Sequence, residues 1–216
     1  MVELYEVMRC APTTRRFGPA AVPRETLRRV LEAARYAPSG GNRQPWRVIA
    51  VEREETRRAL RDLYLPHWRL YMEQTGGAAL LAHPGGVDPR RLEMLRRADE
   101  FAAHIDAVPL HLVICARVSD LAIVDSALER PSIVGGASVY PFVQNLLLGL
   151  RAEGLGAALT TLLAPAEDAV RELLGIPAEL VLAAYVLVGE RADPWPRLAR
   201  KPLTEFAFAE RYGEEL

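Results

Sequence analysis

The chain has 216 residues, a formal net charge of −1 and a charged fraction of 25%, and half of its residues are hydrophobic. This composition is typical of a globular domain, and the near-zero charge excludes the strongly basic surface that attracts nucleic acid. The apolar runs are too short to cross a bilayer, and the two cysteines form no metal-type pair. We therefore expect a cytoplasmic protein of one domain over 1–216, with no metal, nucleic-acid or membrane partner.

The first half of the chain predicts helices around one strand. A short amphipathic helix is expected over 2–10, and a second helix begins at Pro23, followed by apolar residues at the spacing of one buried face. Trp46 to Val51 predicts a strand, and 54–64 predicts a further helix. Residues 65–107 contain glycines and prolines between helical stretches, and we expect a lid-like excursion from the core there.

The second half alternates strands and helices. A helix at 136–153 is apolar on nearly all sides, which is typical of a helix buried in a core or an interface. No glycine fingerprint of a dinucleotide-binding βαβ unit follows a predicted strand. The order therefore predicts an α+β fold with a central sheet wrapped by helices. Strands are expected at 108–116, 157–163 and 181–188, another helix from Pro165 to Gly175, and a partner-contacting tail at about 190–216.

Two basic segments could hold a phosphate. Thr13, Arg15 and Arg16 lie in a turn between the first two helices, where arginine offers paired donors and threonine adds a hydroxyl. Arg200 and Lys201 form a second basic pair, far away in sequence. The alternatives are a solvated basic turn and a charged linker.

Two further segments have the composition of a ligand-binding turn. Residues 37–46 join a helix to a strand, and glycine there lets the backbone approach a flat ligand. The alternative is a polar turn with a core tryptophan. Thr160 and Thr161 follow a Gly-Leu-Gly turn, where they are either hydrogen-bond donors to a ring or ordinary strand residues. The candidate residues of the 37–46 loop are Pro38, Ser39, Gly40, Asn42 and Gln44.

Together these segments resemble the nitroreductase family of FMN-dependent flavoenzymes. The resemblance extends over most of the chain, from the arginine turn before Phe17 to the basic pair at 200–201, and includes a Gln-Asn-Leu-Leu-Leu helix at 144–148. It implies a nitroreductase-like fold, with a central mixed or antiparallel sheet wrapped by helices, in an intertwined homodimer. It also implies FMN as the cofactor.

The resemblance assigns roles to the candidate residues. Arg15 and Arg200 would converge on the FMN phosphate and ribityl chain, with Lys201 as a further candidate. Residues 38–40 would lie against the isoalloxazine, often from the partner subunit. The threonine turn is similar to that of iodotyrosine deiodinases, where hydroxyls approach the flavin N5, which points to Thr160 and Thr161.

One position departs from the family's pattern, and the lid carries no family motif that would identify its substrate contacts. Ala11 stands where the family usually has an arginine, so one contact to the ribityl chain or ring is lost or supplied by another residue. In the lid, Trp68 or Tyr71 is expected to stack over the substrate side of the flavin. Packing within the lid itself is the alternative.

The function implied is hydride transfer from NADH or NADPH through FMN to a small flat acceptor, such as a nitroaromatic or a quinone, in a ping-pong cycle. No side chain is assigned as a certain catalytic group. Reductive dehalogenation is a second interpretation, although the substrate-clamping residues of deiodinases cannot be matched in 64–107. A flavin-binding or flavin-storing protein is a third. The acceptor, the nicotinamide and the use of a deazaflavin stay open.

Overall fold

The computed structural model describes residues 3–216. Its centre is one four-stranded sheet in the order β1–β2–β4–β3, and all neighbouring strands are antiparallel. Within residues 3–216, parallel pairing is limited to an isolated bridge between Thr13 and Ala157. The predicted α+β fold is confirmed, and the strand predicted at 181–188 lies in the interior of the sheet. The strands are β1 (Trp46–Val51), β2 (Leu110–Arg117), β3 (Leu155–Thr160) and β4 (Leu180–Glu190).

Helices cover both faces of this sheet. One face packs against α2 and α6, and the other packs against α3 and α7. Successive residues of β2 point to opposite faces, so Leu112 belongs to the first core and Val113 to the second. The helices are α1 (Leu4–Arg9), α2 (Arg24–Ala34), α3 (Glu54–Gln74), α4 (Gly77–Ala82), α5 (Pro89–Ala103), α6 (Tyr140–Ala152) and α7 (Glu167–Leu174).

Several predicted boundaries were wrong. Helix α3 continues through Pro66 to Gln74, because its buried face, which includes Tyr64 at the predicted end, continues to Met72 beyond it. That packing outweighs the proline's cost of about 3 kcal/mol. Strand β3 ends at Thr160 instead of 163, so Thr161 lies just outside the sheet. Helix α6 starts at Tyr140, after a 3-10 turn at Val134–Gly136.

The apolar helix expected at 136–153 and the tail expected at 190–216 differ in how much of their surface is buried within their own chain. Helix α6 is largely buried within its own chain, through residues such as Leu146 and Leu150, while Leu147 and Leu148 are half-buried. The tail after β4 has no long regular element, and one backbone hydrogen bond of 3.0 Å joins Leu198 to Arg9. Within residues 3–216, no helix combines the length and apolarity that crossing a bilayer requires.

A polar pair, His111 and Tyr185, lies in the core between α3 and the sheet. The Tyr185 hydroxyl donates to His111 Nδ1 at 2.5 Å, and His111 Nε2–H donates to the Ile105 carbonyl at 2.8 Å. Burial lowers the pKa of His111 to about 4. The imidazole is therefore neutral at pH 7, and its hydrogen bonds give it a structural role.

Candidate functional site

The arginine turn, residues 13–17, is fastened to the edge of the sheet. The Thr14 N–H donates to the Ala157 carbonyl of β3 at 2.8 Å, and the Gly18 N–H donates to the Glu190 carbonyl of β4 at 2.9 Å. Thr14 is fully buried against Gly156, where a Cβ would lie only 2.7 Å from Thr14 Oγ1. Glycine at 156 therefore allows the turn to lie this close to β3.

An open cavity of about 400 Å³ lies beside this turn, at the end of β3. We call it the main cavity. It brings together three groups that are far apart in sequence: the arginine turn, the threonine turn and the aromatic part of the lid. Its polar lining is Thr13, Arg15, Thr160 and Thr161, and its aromatic lining is Tyr64, Trp68, Tyr71 and Phe101.

The end of β3 offers hydroxyl donors to this cavity. Thr160 Oγ1 accepts the Leu162 N–H at 3.2 Å, and its own hydrogen can donate either to the neighbouring Tyr64 phenol or to a ligand. Tyr64 lies beside Thr160, and burial raises the pKa of its phenol. The phenol is therefore protonated at neutral pH, and the surface around Thr160 carries no negative charge from it.

The aromatic side chains of α3 both line the cavity and pack within the lid. The rings of Trp68 and Tyr71 lie 5.8 Å apart, and Trp68 Nε1–H donates to Asp99 of α5 at 2.8 Å. Tyr71 is 44% exposed. The two roles considered for these residues are compatible, because the lid packing holds Trp68 at the wall of the cavity.

The two arginines of the turn have different surroundings. Arg16 forms an ion pair of 2.9 Å with Asp193. Arg15 has no carboxylate partner within residues 3–216, and it borders the main cavity and two smaller ones. Arg191 and Arg97 also line this region. Sequence reasoning missed both, because a single arginine after a strand and an arginine in a charged helix carry no motif.

The second basic pair lies elsewhere. Arg200 donates to the Ala199 carbonyl at 2.8 Å, and Lys201 pairs with Glu205 at 2.8 Å. Neither is among the residues that line the main cavity. A single chain thus does not bring them to the cavity with Arg15, and their contact with a phosphate stays a prediction.

The loop at 38–45 is held in a fixed and partly strained shape. The Gly40 N–H donates to Ser138 Oγ, and the Gln44 N–H donates to Ser39 Oγ, each at 3.0 Å. The Gln44 side chain donates to Asn42 Oδ1 at 3.0 Å. Asn42 and Gln44 have φ values of 54° and 49°, and such non-glycine residues each cost on the order of 1–3 kcal/mol. Strain of this kind is often found at functional sites.

This loop lies at the far edge of the sheet from the main cavity. It leads into β1, whose Trp46 is buried and stacks on Phe142 at 4.8 Å, so that the tryptophan is a core residue. Three strand spacings of about 4.8 Å separate β1 from β3, which is about 14 Å. Within one chain, residues 38–40 and Thr160 therefore lie at opposite edges of the sheet.

The nitroreductase family model matches residues 12–190. The chain belongs to the nitroreductase family. It is 28% identical over 200 residues to an iodotyrosine deiodinase of Thermotoga neapolitana, covering 93% of this chain and 95% of the deiodinase. It is 30% identical over 198 residues to an NADH dehydrogenase of Thermus thermophilus, covering 88% and 87%.

The fold has a matching solved structure. An iodotyrosine deiodinase bound to FMN and 3-iodo-L-tyrosine superposes with a TM-score of 0.69 and 27% identity, covering 97% of this chain and 98% of that one. The predicted nitroreductase-like fold is confirmed. Members of this family are FMN flavoproteins.

Proposed function

We propose that this protein binds FMN in the main cavity and passes a hydride from NADH or NADPH to a small flat acceptor, such as a nitroaromatic or a quinone. The observation that carries the proposal is the meeting of hydroxyls, a guanidinium and aromatic rings around one cavity of about 400 Å³. A flat anionic cofactor requires such a set of donors and apolar walls. FMN would supply the hydride chemistry, while the protein supplies position, polarity and exclusion of water.

The residues around the cavity fit the parts of FMN. Arg15 and Thr13 would hold the phosphate and ribityl chain, because the charge of Arg15 is not neutralised by a carboxylate of residues 3–216. A phosphate dianion needs such positive charge when it leaves water. Thr160 and Thr161 would donate to the ring, and Arg200 with Lys201 are further candidates for the phosphate. Arg16 would act indirectly, since it is paired with Asp193.

The complete site would be built by a homodimer. The 38–40 loop lies at the opposite edge of the sheet from Thr160, so a second copy would bring its own loop to this cavity. Large apolar side chains are available for such an interface: Tyr36 is 78% exposed and Ile133 is 77% exposed. Apolar groups exposed to this extent favour burial against a partner.

The test is the spectrum and the reduction of the purified protein. The protein should be yellow, should release FMN on denaturation, and should gain thermal stability from added FMN. Anaerobic mixing with NADH or NADPH should bleach the flavin rapidly, and a nitroaromatic or quinone should restore its colour. Colourless protein that added FMN does not stabilise would refute the proposal. Bound FMN that NADH and NADPH leave oxidised would instead indicate a flavin-storing protein, and a deazaflavin spectrum would replace FMN as the cofactor.

Reductive dehalogenation is the second candidate, favoured by the threonine turn and by similarity to iodotyrosine deiodinases. The flavin-loaded protein should be given 3-iodotyrosine and a nitroaromatic in parallel, with a chemical reductant and with NADH. Iodide release faster than nitroaromatic reduction would favour this candidate. Nitroaromatic reduction with no iodide release would remove it.

A further inference from the structure

A second open cavity, of about 350 Å³, lies between α5 and the arginine turn. We call it the basic cavity. It adjoins the main cavity, because Thr13 and Arg15 line both. Two carboxylates line it together with five arginines, which are Arg15, Arg16, Arg90, Arg97 and Arg191.

The positive charge of the basic cavity is not balanced within the chain. Glu93 is paired with Arg97 at 2.6 Å, and Asp193 is paired with Arg16 at 2.9 Å. The other three arginines form no ion pair with a carboxylate of residues 3–216. Two basic elements thus face each other across the cavity, and an anion between them would reduce the repulsion between their charges.

Two arginines of α5, Arg90 and Arg97, lie on the side of the helix that faces the arginine turn. Arg90 and Arg97 are seven residues apart, which is two helical turns, so both project towards the arginine turn. Arg96, next to Arg97, is exposed and is not among the lining residues. The positive charge that α5 presents to the cavity therefore comes from the side of the helix that carries Arg90 and Arg97.

The cationic and aromatic surfaces meet at Phe101. Phe101 lines the main cavity with Trp68 and Tyr71, and it lines a third cavity of about 300 Å³ with Arg15 and Arg97. An aromatic ring placed against the walls of the main cavity would thus carry its substituents towards these guanidinium groups. Paired arginine donors match the geometry of a carboxylate.

We propose that the basic cavity binds the carboxylate of an aromatic acceptor whose ring stacks on the flavin, beside the aromatic wall of the main cavity. The proposal rests on the proposed FMN function and narrows its acceptor class to aromatic acids. Two of the arginines are on α5, within the lid-like segment outside the sheet, where a ligand that enters and leaves during each cycle would contact them. The flavin alone would reduce flat acceptors with or without a carboxylate. The arginines of the lid would then favour the acceptors that carry one.

Binding of benzoate and benzamide to the flavin-loaded protein tests this assignment. The two probes have similar shapes, but only benzoate carries a charge. Their binding can be followed by the change in flavin absorbance, without turnover. We expect benzoate to bind at least about tenfold more tightly than benzamide, as loss of one charged hydrogen-bonding partner would predict. High salt should weaken benzoate binding and leave benzamide binding unchanged.

Variants of α5 give the matched comparison. Arg90→Gln removes an arginine that has no ion-pair partner within residues 3–216, and it should weaken benzoate binding by about tenfold while benzamide binding stays intact. Arg97→Gln should weaken benzoate binding less, because Arg97 is paired with Glu93. Arg96→Gln, one position away and outside the cavity, should behave as the wild type. Measuring both Arg97→Gln and Arg90→Gln keeps the test informative if one variant folds poorly.

Each contrary result has a distinct meaning. Equal binding of benzoate and benzamide by the wild type would overturn the proposal while leaving the flavin function in place. A loss of FMN affinity without a loss of riboflavin affinity in Arg97→Gln would assign the cavity to the cofactor's phosphate. A raised KM for the nicotinamide with unchanged benzoate binding would assign it to the phosphates of the electron donor. A wild type that binds no flavin would refute the proposed function itself.

Discussion

Gly156→Ala would test whether contact with β3 sets the position of the arginine turn. The added Cβ would lie 2.7 Å from Thr14 Oγ1 and 2.8 Å from its Cγ2, closer than side chains pack. Thr14 is fully buried and its backbone is bonded to Ala157, so relief requires the turn to shift. Alanine in place of a strand glycine gains about 0.5–1 kcal/mol, whereas overpacking costs about 1–3 kcal/mol. We expect a net loss of about 1–2 kcal/mol in the free energy of unfolding.

Thr14→Ala provides the second arm of a double-mutant cycle. It removes both clashing atoms, together with a 3.2 Å hydrogen bond from Arg191, and should alone cost about 1 kcal/mol. The double variant should be less destabilised than the sum of the single variants, because the two shortest contacts no longer exist and only the Thr14 Cβ position, at 3.0 Å, stays close. Urea unfolding gives the free energies, and flavin fluorescence gives the FMN affinity, which should fall in Gly156→Ala and partly recover in the double variant. Additive free energies, or wild-type FMN affinity in Gly156→Ala, would refute this reasoning.

Four further predictions concern the cofactor, the assembly, the lid and the core. Arg15→Ala should weaken FMN by about 1.5–3 kcal/mol and leave riboflavin unaffected, and Arg200→Ala should do the same; equal losses of both flavins would mean a structural role. Deleting residues 195–216 should abolish dimer and flavin binding, and a flavin-loaded monomer in sedimentation would contradict this. Tyr71→Ala should change the ratio of kcat/KM among acceptors while FMN affinity is kept; an unchanged ratio would remove Tyr71 from the site. As the pH falls from 6.5 to 4, the free energy of unfolding should decrease by about 3 kcal/mol more in the wild type than in His111→Gln. The reason is that His111 becomes protonated in the unfolded chain at a higher pH than in the folded protein. Parallel plots of unfolding free energy against pH for the two proteins would contradict this.

The sequence predicted the strands better than the ends of the helices. Trp46–Val51 forms a strand as predicted, because a run of apolar and β-branched residues bounded by a proline-containing turn has few other solutions. The end of α3 was missed because Pro66 is a local signal that tertiary packing overrides. The limits of β3 were shifted because its start follows from pairing with β4, and a single strand does not reveal its register.

Sequence motifs mark part of the candidate site and leave the rest of its lining unmarked. The arginine and threonine turns line one cavity, and their contact with a flavin stays a prediction. Arg97 and Arg191 could not be found in this way, since their significance depends on the distance between two elements that the sequence does not relate. Arg15 has no carboxylate partner within residues 3–216. The sequence could not predict this, because it depends on where the neighbouring side chains lie.

The strand order supports the proposal that these motifs act together only when two copies of the chain meet. The 38–40 loop precedes one edge strand and the threonine turn follows the other, and the two central strands keep them apart. No loop movement could close this gap without breaking the hydrogen bonds from Gly40 to Ser138 and from Gln44 to Ser39. The loop is also already held in a strained conformation, which would carry no benefit if it bound nothing. A rigid loop on one chain and a hydroxyl-rich cavity on another are complementary halves, so dimer formation and flavin binding should be lost together.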